Sequence, residues 1–288
     1  MRNVLRAAFC CYLSAVLCWT STASATTLVA KVEKDRIILA ADIRRTMFAE
    51  LSDHPPLPPD DHMCKISALS KVGFAATGGL LKFHLISGPP VVGDWSADED
   101  AKSSYLSHPD NLFEIAEDWK ARTIQHYTAL YSVAQKTVEE LAGSNPGNVL
   151  IIGLFAGRDD KGRPTLISER ISLDRVRFTL SLIVSAPIEV LHERERPYST
   201  NDDTNKLTDI ESELGKATAK KWAMRAKQFP KSERDWRWVA FLIESTSAYD
   251  KAVAKNADVL EIQTSGSHWL QRSACGTKRK PQKAASQK

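Results

Sequence analysis

What this chain has little of narrows its class first. Its one long apolar stretch, Ala7 to Trp19, is short of the roughly 20 residues that a membrane-spanning helix needs. Neither charge sign dominates: 39 Lys and Arg stand against 35 Asp and Glu, a formal net charge of +4. Such a balance requires neither nucleic acid nor a membrane surface as a partner. Cysteine is scarce, with Cys10, Cys11 and Cys18 near the start and only Cys64 and Cys275 beyond, which excludes a disulfide framework. No internal repeat and no long linker divides the chain.

What is present begins at the amino terminus. Met1 to Arg6 carries Arg2 and Arg6 and no acid, the apolar run follows, and Ala23-Ser24-Ala25 supplies the small-x-small pattern of signal peptidase sites. The segment 1–25 reads as a removable signal peptide, not an anchor, because nothing after Ala25 continues the apolar stretch. The mature chain is then expected to start at Thr26, outside the cytoplasm, in the periplasm or secreted. With 263 residues left and a charge of +2 once Arg2 and Arg6 are gone, it suits one large domain, 26–272. Residues 273–288, with Lys278-Arg279-Lys280, Lys283 and Lys288, read as a basic, disordered tail. One bridge between Cys64 and Cys275 or two buried free thiols both fit, and export favours the bridge.

Alternating apolar residues predict strands over Leu28 to Val32 and Arg36 to Ala41, hinged at Lys34-Asp35, and over Val72 to Thr77. Four prolines within His54 to His62 make that stretch a surface loop. Helical periodicity runs from Leu112 through Ile115, Trp119, Tyr127 and Leu130 to Leu141, ending at Gly143. A hairpin of Asn148–Phe155 and Pro164–Ser172 comes next, then a strand over Phe178–Ser185, helices around Ile210–Phe229 and Asp235–Tyr249, and a last strand over Asp258–Gln263 returning through Trp269. This order suits an α+β fold of two sheets face to face with helices outside each.

The chemistry centres on the residue that the signal cut would expose. A threonine hydroxyl is a weak nucleophile, but an N-terminal threonine carries its own base, an α-amine with an ordinary pKa of about 7.7–8.0. The stretch from Thr26-Thr27-Leu28-Val29-Ala30 to Ala41-Asp42-Ile43-Arg44-Arg45-Thr46 closely resembles the opening of proteasome β subunits. In that family an acid follows the nucleophilic threonine by sixteen positions, then an arginine and a threonine at alternate positions, which are the places of Asp42, Arg44 and Thr46. A second block, Lys65-Ile66-Ser67-Ala68-Leu69 to Ala75-Ala76-Thr77-Gly78-Gly79, is similar to the family's catalytic-lysine strand and the glycine after it.

The resemblance implies a four-layer αββα sandwich, an N-terminal nucleophile hydrolase, with no metal or organic cofactor. Thr26 would be the nucleophile, Lys65 the charge that favours its deprotonation, Asp42 the partner of Lys65, Gly78 the oxyanion donor, with Gly79 as fallback, and Asp250 the supporting aspartate. The substrate would be a peptide or unfolded protein added as a strand along Arg44 and Thr46, with Ala76 and Leu80 lining its first side-chain pocket. On this reading Asp42 and Lys65 tune Thr26 and do not build the core. Homo-oligomerisation is implied in the same way. The chain departs from the family in its longer Pro-rich loop, in Val184-Ser185-Ala186-Pro187 where a glycine-serine-glycine segment is expected, with Ser185 standing for the supporting serine, and in Val253 where the companion serine of Asp250 is expected.

Plainer readings compete at each point. Alone, Asp42 would pass for a turn acid and Lys65 for a solvated strand lysine. Asp53-His54, Asp60-Asp61-His62 and Cys64 are better read as a solvated loop than as a metal site, since the prolines prevent any regular ligand spacing. Trp222, Trp236 and Trp238 suit packing. Two other functions remain compatible with the sequence: a small-molecule amidase of the same fold, and a noncatalytic ring or binding protein.

Overall fold

The computed structural model describes residues 27–44, 63–78, 81–83, 95–143, 145–176, 180–193 and 196–275. Thr26, Thr46, Gly79 and Leu80, together with the signal, the Pro-rich loop and the chain beyond Cys275, lie outside them. Among the described residues no helix is long and apolar enough to cross a membrane.

The fold is α+β, with two antiparallel sheets and six α-helices among the described residues. The chain opens with β1 (Leu28–Val32) and β2 (Ile37–Asp42), paired so that Val32 faces Ile37 across the expected turn. Every residue of β2 is buried. Ile37, Leu39 and Ala41 enter one core cluster and Ile38 and Ala40 another, which is how a period-2 chain presents apolar groups to both faces of a sheet covered on both sides. The strand β12 (Ala257–Gln263) runs antiparallel along β2, with β13 (Gly266–Gln271) beyond it, and β11 (Tyr198–Ser199) borders β1. The second sheet has the order β10 (Glu189–Leu191), β8 (Pro164–Val176), β7 (Val149–Arg158), β4 (Val72–Gly78), β3 (Ile66–Leu69), and β9 (Leu180–Ser185) also pairs with β8. A short pair, β5 (Lys82–Phe83) and β6 (Trp95–Ser96), stands apart.

Three core clusters join these parts. Leu28, Leu39 and Leu260 of the first sheet pack with Ile66, Ala75, Leu154 and Leu166 of the second. On the other side of the second sheet lie α1 (Ala97–Ser107), α2 (Leu112–Val133) and α3 (Gln135–Gly143), whose Ile115, Trp119 and Tyr127 meet Phe74, Leu150 and Phe155. Against the first sheet, Val239, Leu242 and Ile243 of α6 (Arg234–Thr246) and Leu207 of α4 (Asp202–Thr208) cover Val29, Ile38 and Val259. Trp119 can approach β7 because residue 153 is glycine, where a Cβ would stand 2.5 Å from the indole.

Several elements differ from the sequence reading, each for a local reason. The long periodic stretch breaks at Ala134, whose φ of −138° leaves the helical region, so it forms two helices. The helix α1 carries no large apolar stripe, because its buried positions are Ala97, Ala101 and Ser104. The predicted helix over Ile210–Phe229 is α5 (Glu213–Ala226), preceded by the unpredicted α4, which Asn201 caps by accepting from the N–H groups of Asp203 and Thr204. Trp222 and Trp238 pack against Phe241 on the outer helices, the packing role expected of them. Ser273 to Cys275, which the sequence groups with the tail, are tied to the fold: the Asp258 carboxylate accepts their three backbone N–H groups, and Cys275 is bonded to Cys64.

One buried acid gives the fold a pH dependence. Glu169 of β8 is fully buried, and among the described residues neither carboxylate oxygen has a hydrogen-bond partner. Lys120 stands 3.9 Å away and is engaged by Glu117. Burial pushes the Glu169 carboxyl up to about 7, with Lys120 opposing the shift and Glu117 adding to it. The folded chain therefore holds a proton that the unfolded chain has lost, and stability falls as pH rises from about 4.5 through about 7. Glu169→Gln should be more stable than the parent by about 1–3 kcal/mol at pH 8 and indistinguishable near pH 4. Thermal melts across that range check it, and equal melting temperatures at pH 8 would contradict it.

Candidate active site

The site is built where β2 ends. Asp42 is fully buried at the last position of that strand, opposite Ala257. Its Oδ1 accepts from the backbone N–H of Thr27 at 2.9 Å and from Lys65 Nζ at 3.0 Å. Its Oδ2 accepts from the N–H groups of Arg44 at 3.1 Å and Ala254 at 3.2 Å. Four donors thus converge on one carboxylate, three of them main-chain groups from separate segments.

Lys65 directly precedes β3. Its side chain is 2% exposed, held between the strand that anchors Ile66 in the inter-sheet core and Met63, whose N–H donates to the Ile43 carbonyl at 2.9 Å. Taking an ammonium and a carboxylate out of water costs several kcal/mol per ion, which only close geometry and further hydrogen bonds offset. Both conditions are met here. The N–H donors on Asp42 correct the expectation that it leaves the architecture untouched, because it ties the start of β1, the end of β2 and the turn before β12 to one another.

Thr27 is the first described residue. Its N–H donates to the Asp42 carboxylate, its carbonyl accepts from the Asp42 N–H at 3.1 Å, and its buried hydroxyl has no hydrogen-bond partner among the described residues. The next residue toward the amino terminus is Thr26. The carboxylate oxygen that holds the Lys65 ammonium therefore accepts from the residue covalently next to Thr26.

The other predicted residues are distributed around this centre. Gly78 ends β4 opposite Ile151, with φ +149°, and a Cβ there would lie 2.3 Å from the Leu150 carbonyl oxygen, so only glycine fits. Ala76, opposite Gly153, is buried in the core cluster that holds α1 to α3 and is a packing group. The guanidinium of Arg44 hydrogen-bonds to the Lys251 carbonyl. Asp250 accepts from Ala252 N–H at 2.9 Å and from Asn201 Nδ2 at 3.3 Å. It contributes indirectly, by closing the turn whose far end, Ala254, donates to Asp42.

Sequence reasoning missed the polar group that reaches the start of β1. Ser185 stands in β9 opposite Ile171 of the second sheet, whereas Thr200 accepts from Leu28 N–H through Oγ1 and donates its own N–H to the Leu28 carbonyl, both at 3.1 Å. The signal for this segment was Asn201 ahead of Asp202-Asp203, a helix N-terminus whose preceding residues border β1. The one cluster of metal-ligand types among the described residues, Cys64, Asp258 and Cys275, fits no ion, since both sulfurs are in a disulfide and the carboxylate is occupied by N–H donors. No protein-family model matches the chain, and no match is found among curated proteins.

Proposed function

We propose that the chain is an exported N-terminal nucleophile hydrolase of proteasome β-subunit type, which cleaves amide bonds of peptides or unfolded protein with the Thr26 hydroxyl. The observation that carries this reading is the sharing of Asp42 Oδ1 by Lys65 Nζ and the N–H of Thr27. It puts a buried acid–ammonium pair one residue from a threonine that a signal-peptidase site would expose. The three clusters that join helices, sheet, sheet and helices suit a four-layer αββα sandwich.

In this mechanism the Thr26 α-amine takes the Oγ proton as Oγ bonds to the substrate carbonyl carbon. The positive charge of Lys65 favours the alkoxide and the neutral amine, and Asp42 holds that charge in place. The oxyanion faces the N–H at Gly78. Its collapse breaks the C–N bond, the Thr26 ammonium returns the proton to the leaving amine, and an ester on Thr26 remains. Water then cleaves the ester, losing its proton to the α-amine, and releases the acid. Export would supply the free amine, and Thr200 and Asp250 support the main chain on either side.

A peptide β-lactone tests the proposal. Exported protein should gain one acyl mass located on Thr26, and Thr26→Ala should gain none. Acylation elsewhere, or none on protein whose first residue is Thr26, would remove the nucleophile assignment.

A further inference from the structure

The disulfide lies beside the buried pair, and the contacts around it close a ring. Cys64 is covalently next to Lys65, and Lys65 bonds to Asp42. Asp42 is opposite Ala257 in the strand pairing, and the following residue, Asp258, accepts the N–H groups of Ser273, Ala274 and Cys275. Cys275 returns to Cys64 through the S–S bond, with the two Cα atoms 4.5 Å apart though the residues are 211 positions apart in sequence. Ser273 Oγ and Gln271 Nε2 both donate to the Ala257 carbonyl, and Ala274 packs with Ile43 and Ala254. The C-terminal segment is thus folded under the residues that hold Asp42.

Among the described residues, the main chain on the two sides of Lys65 is held unequally. On its C-terminal side β3 pairs with β4 from Ile66 onward. On its N-terminal side, among the described residues, the chain is held by one backbone hydrogen bond from Met63 and by the covalent bond at Cys64. An ammonium that is costly to bury leaves a low-dielectric site readily when its backbone is free to move.

We infer that the Cys64–Cys275 disulfide is a positioning device that holds Lys65 against Asp42, so that the site assembles only when the pair is oxidised. Its catalytic consequence rests on the function proposed above; its structural consequence does not. Cys64 is exposed and Cys275 is buried, so an added dithiol would attack at Cys64. Its thiolate bonds to the Cys64 sulfur, the S–S bond breaks and Cys275 leaves as a thiolate. The second thiol then closes the reductant's own disulfide and frees Cys64. Both cysteines end reduced, at the expense of two electrons from the dithiol. Export and activity would be linked twice, by the free amine of Thr26 and by the oxidation that fixes Lys65.

The test measures Lys65 itself, by acetylation with an amine-reactive ester and mass spectrometry of the peptides. In the oxidised protein Lys65 should be protected. In protein reduced with dithiothreitol, and in the Cys64→Ser, Cys275→Ser double variant, its modification should quicken by at least about tenfold, as local opening requires. Lys31 of β1, ion-paired with Glu33 and Asp235 at 2.7 Å each, should keep its rate. Unchanged protection of Lys65 after verified reduction would overturn the inference. So would a parallel loss at Lys31 and Lys65, which would mark a bridge that holds the whole fold. Acylation of Thr26 by the β-lactone, measured on the same samples, should fall on reduction and return on reoxidation. If oxidised protein is never acylated, the proposed hydrolase activity fails while the lysine rates still decide the role of the bridge.

Discussion

Lys65→Ala should lower turnover by about a hundred- to a thousandfold, the scale set by loss of one well-aimed electrostatic group at a reacting centre. In the proposed mechanism the ammonium would act from a site where side-chain burial, 2% exposed for Lys65, leaves little water to screen its charge. The same change leaves Asp42 buried with three N–H donors and, among the described residues, no paired cation, which costs about 3–5 kcal/mol. The two effects separate under conditions where the variant is folded by circular dichroism: the rate loss persists there if Lys65 tunes Thr26. Lys65→Arg keeps the charge but brings a planar fork into a space that fits a compact ammonium, and it should restore stability in part and activity little. Asp42→Asn turns one acceptor into a donor facing an N–H or an ammonium, so it should lower both. A Lys65→Ala protein that hydrolyses substrate at the parental rate would end the catalytic assignment of the pair.

The form that keeps Ala25, or an added methionine, ahead of Thr26 should be inactive to a similar degree. In an amide the nitrogen lone pair is delocalised into the carbonyl and takes up no proton near neutrality, so the hydroxyl loses its base, a contribution of about 10²–10⁴ in rate. Thr26→Ser should retain part of the activity and Thr26→Ala none, with both still exported and cut. Intact mass of the exported protein reports the first residue, and turnover of a fluorogenic peptide reports activity. Equal turnover by the form with Ala25 attached would refute signal removal as the activating step.

The local pattern of the sequence was enough for much of the architecture. The two-sided burial of β2 follows from its unbroken apolar run over Ile37 to Ala41, and the β7–β8 hairpin from the apolar run of β7 and the strand-forming stretch that follows the charged turn at Arg158 to Gly162. The helix α2 follows from a 3.6-residue apolar stripe. Where side chains are small, as in α1, or strands are two or three residues long, as in β10 and β11, a one-dimensional pattern holds too little signal. Asp42 and Lys65 were legible as a pair only through their resemblance to a known arrangement.

By itself, then, the sequence determined which residues are able to bear charge, turn or pack: an acid ending an apolar strand, a lysine just ahead of another, a glycine closing a third. Tertiary structure alone decided what each of them meets. It set Lys65 and the N–H of Thr27 on one oxygen of Asp42, brought Thr200 to the start of β1, turned the Arg44 guanidinium toward Lys251, and drew Cys275 across to Cys64. The physical reason is range. Strand and helix patterns arise from neighbours within a few residues, whereas these contacts join groups 15 to 211 positions apart, which become neighbours only once two sheets have packed their apolar faces and fixed the distances between their edges.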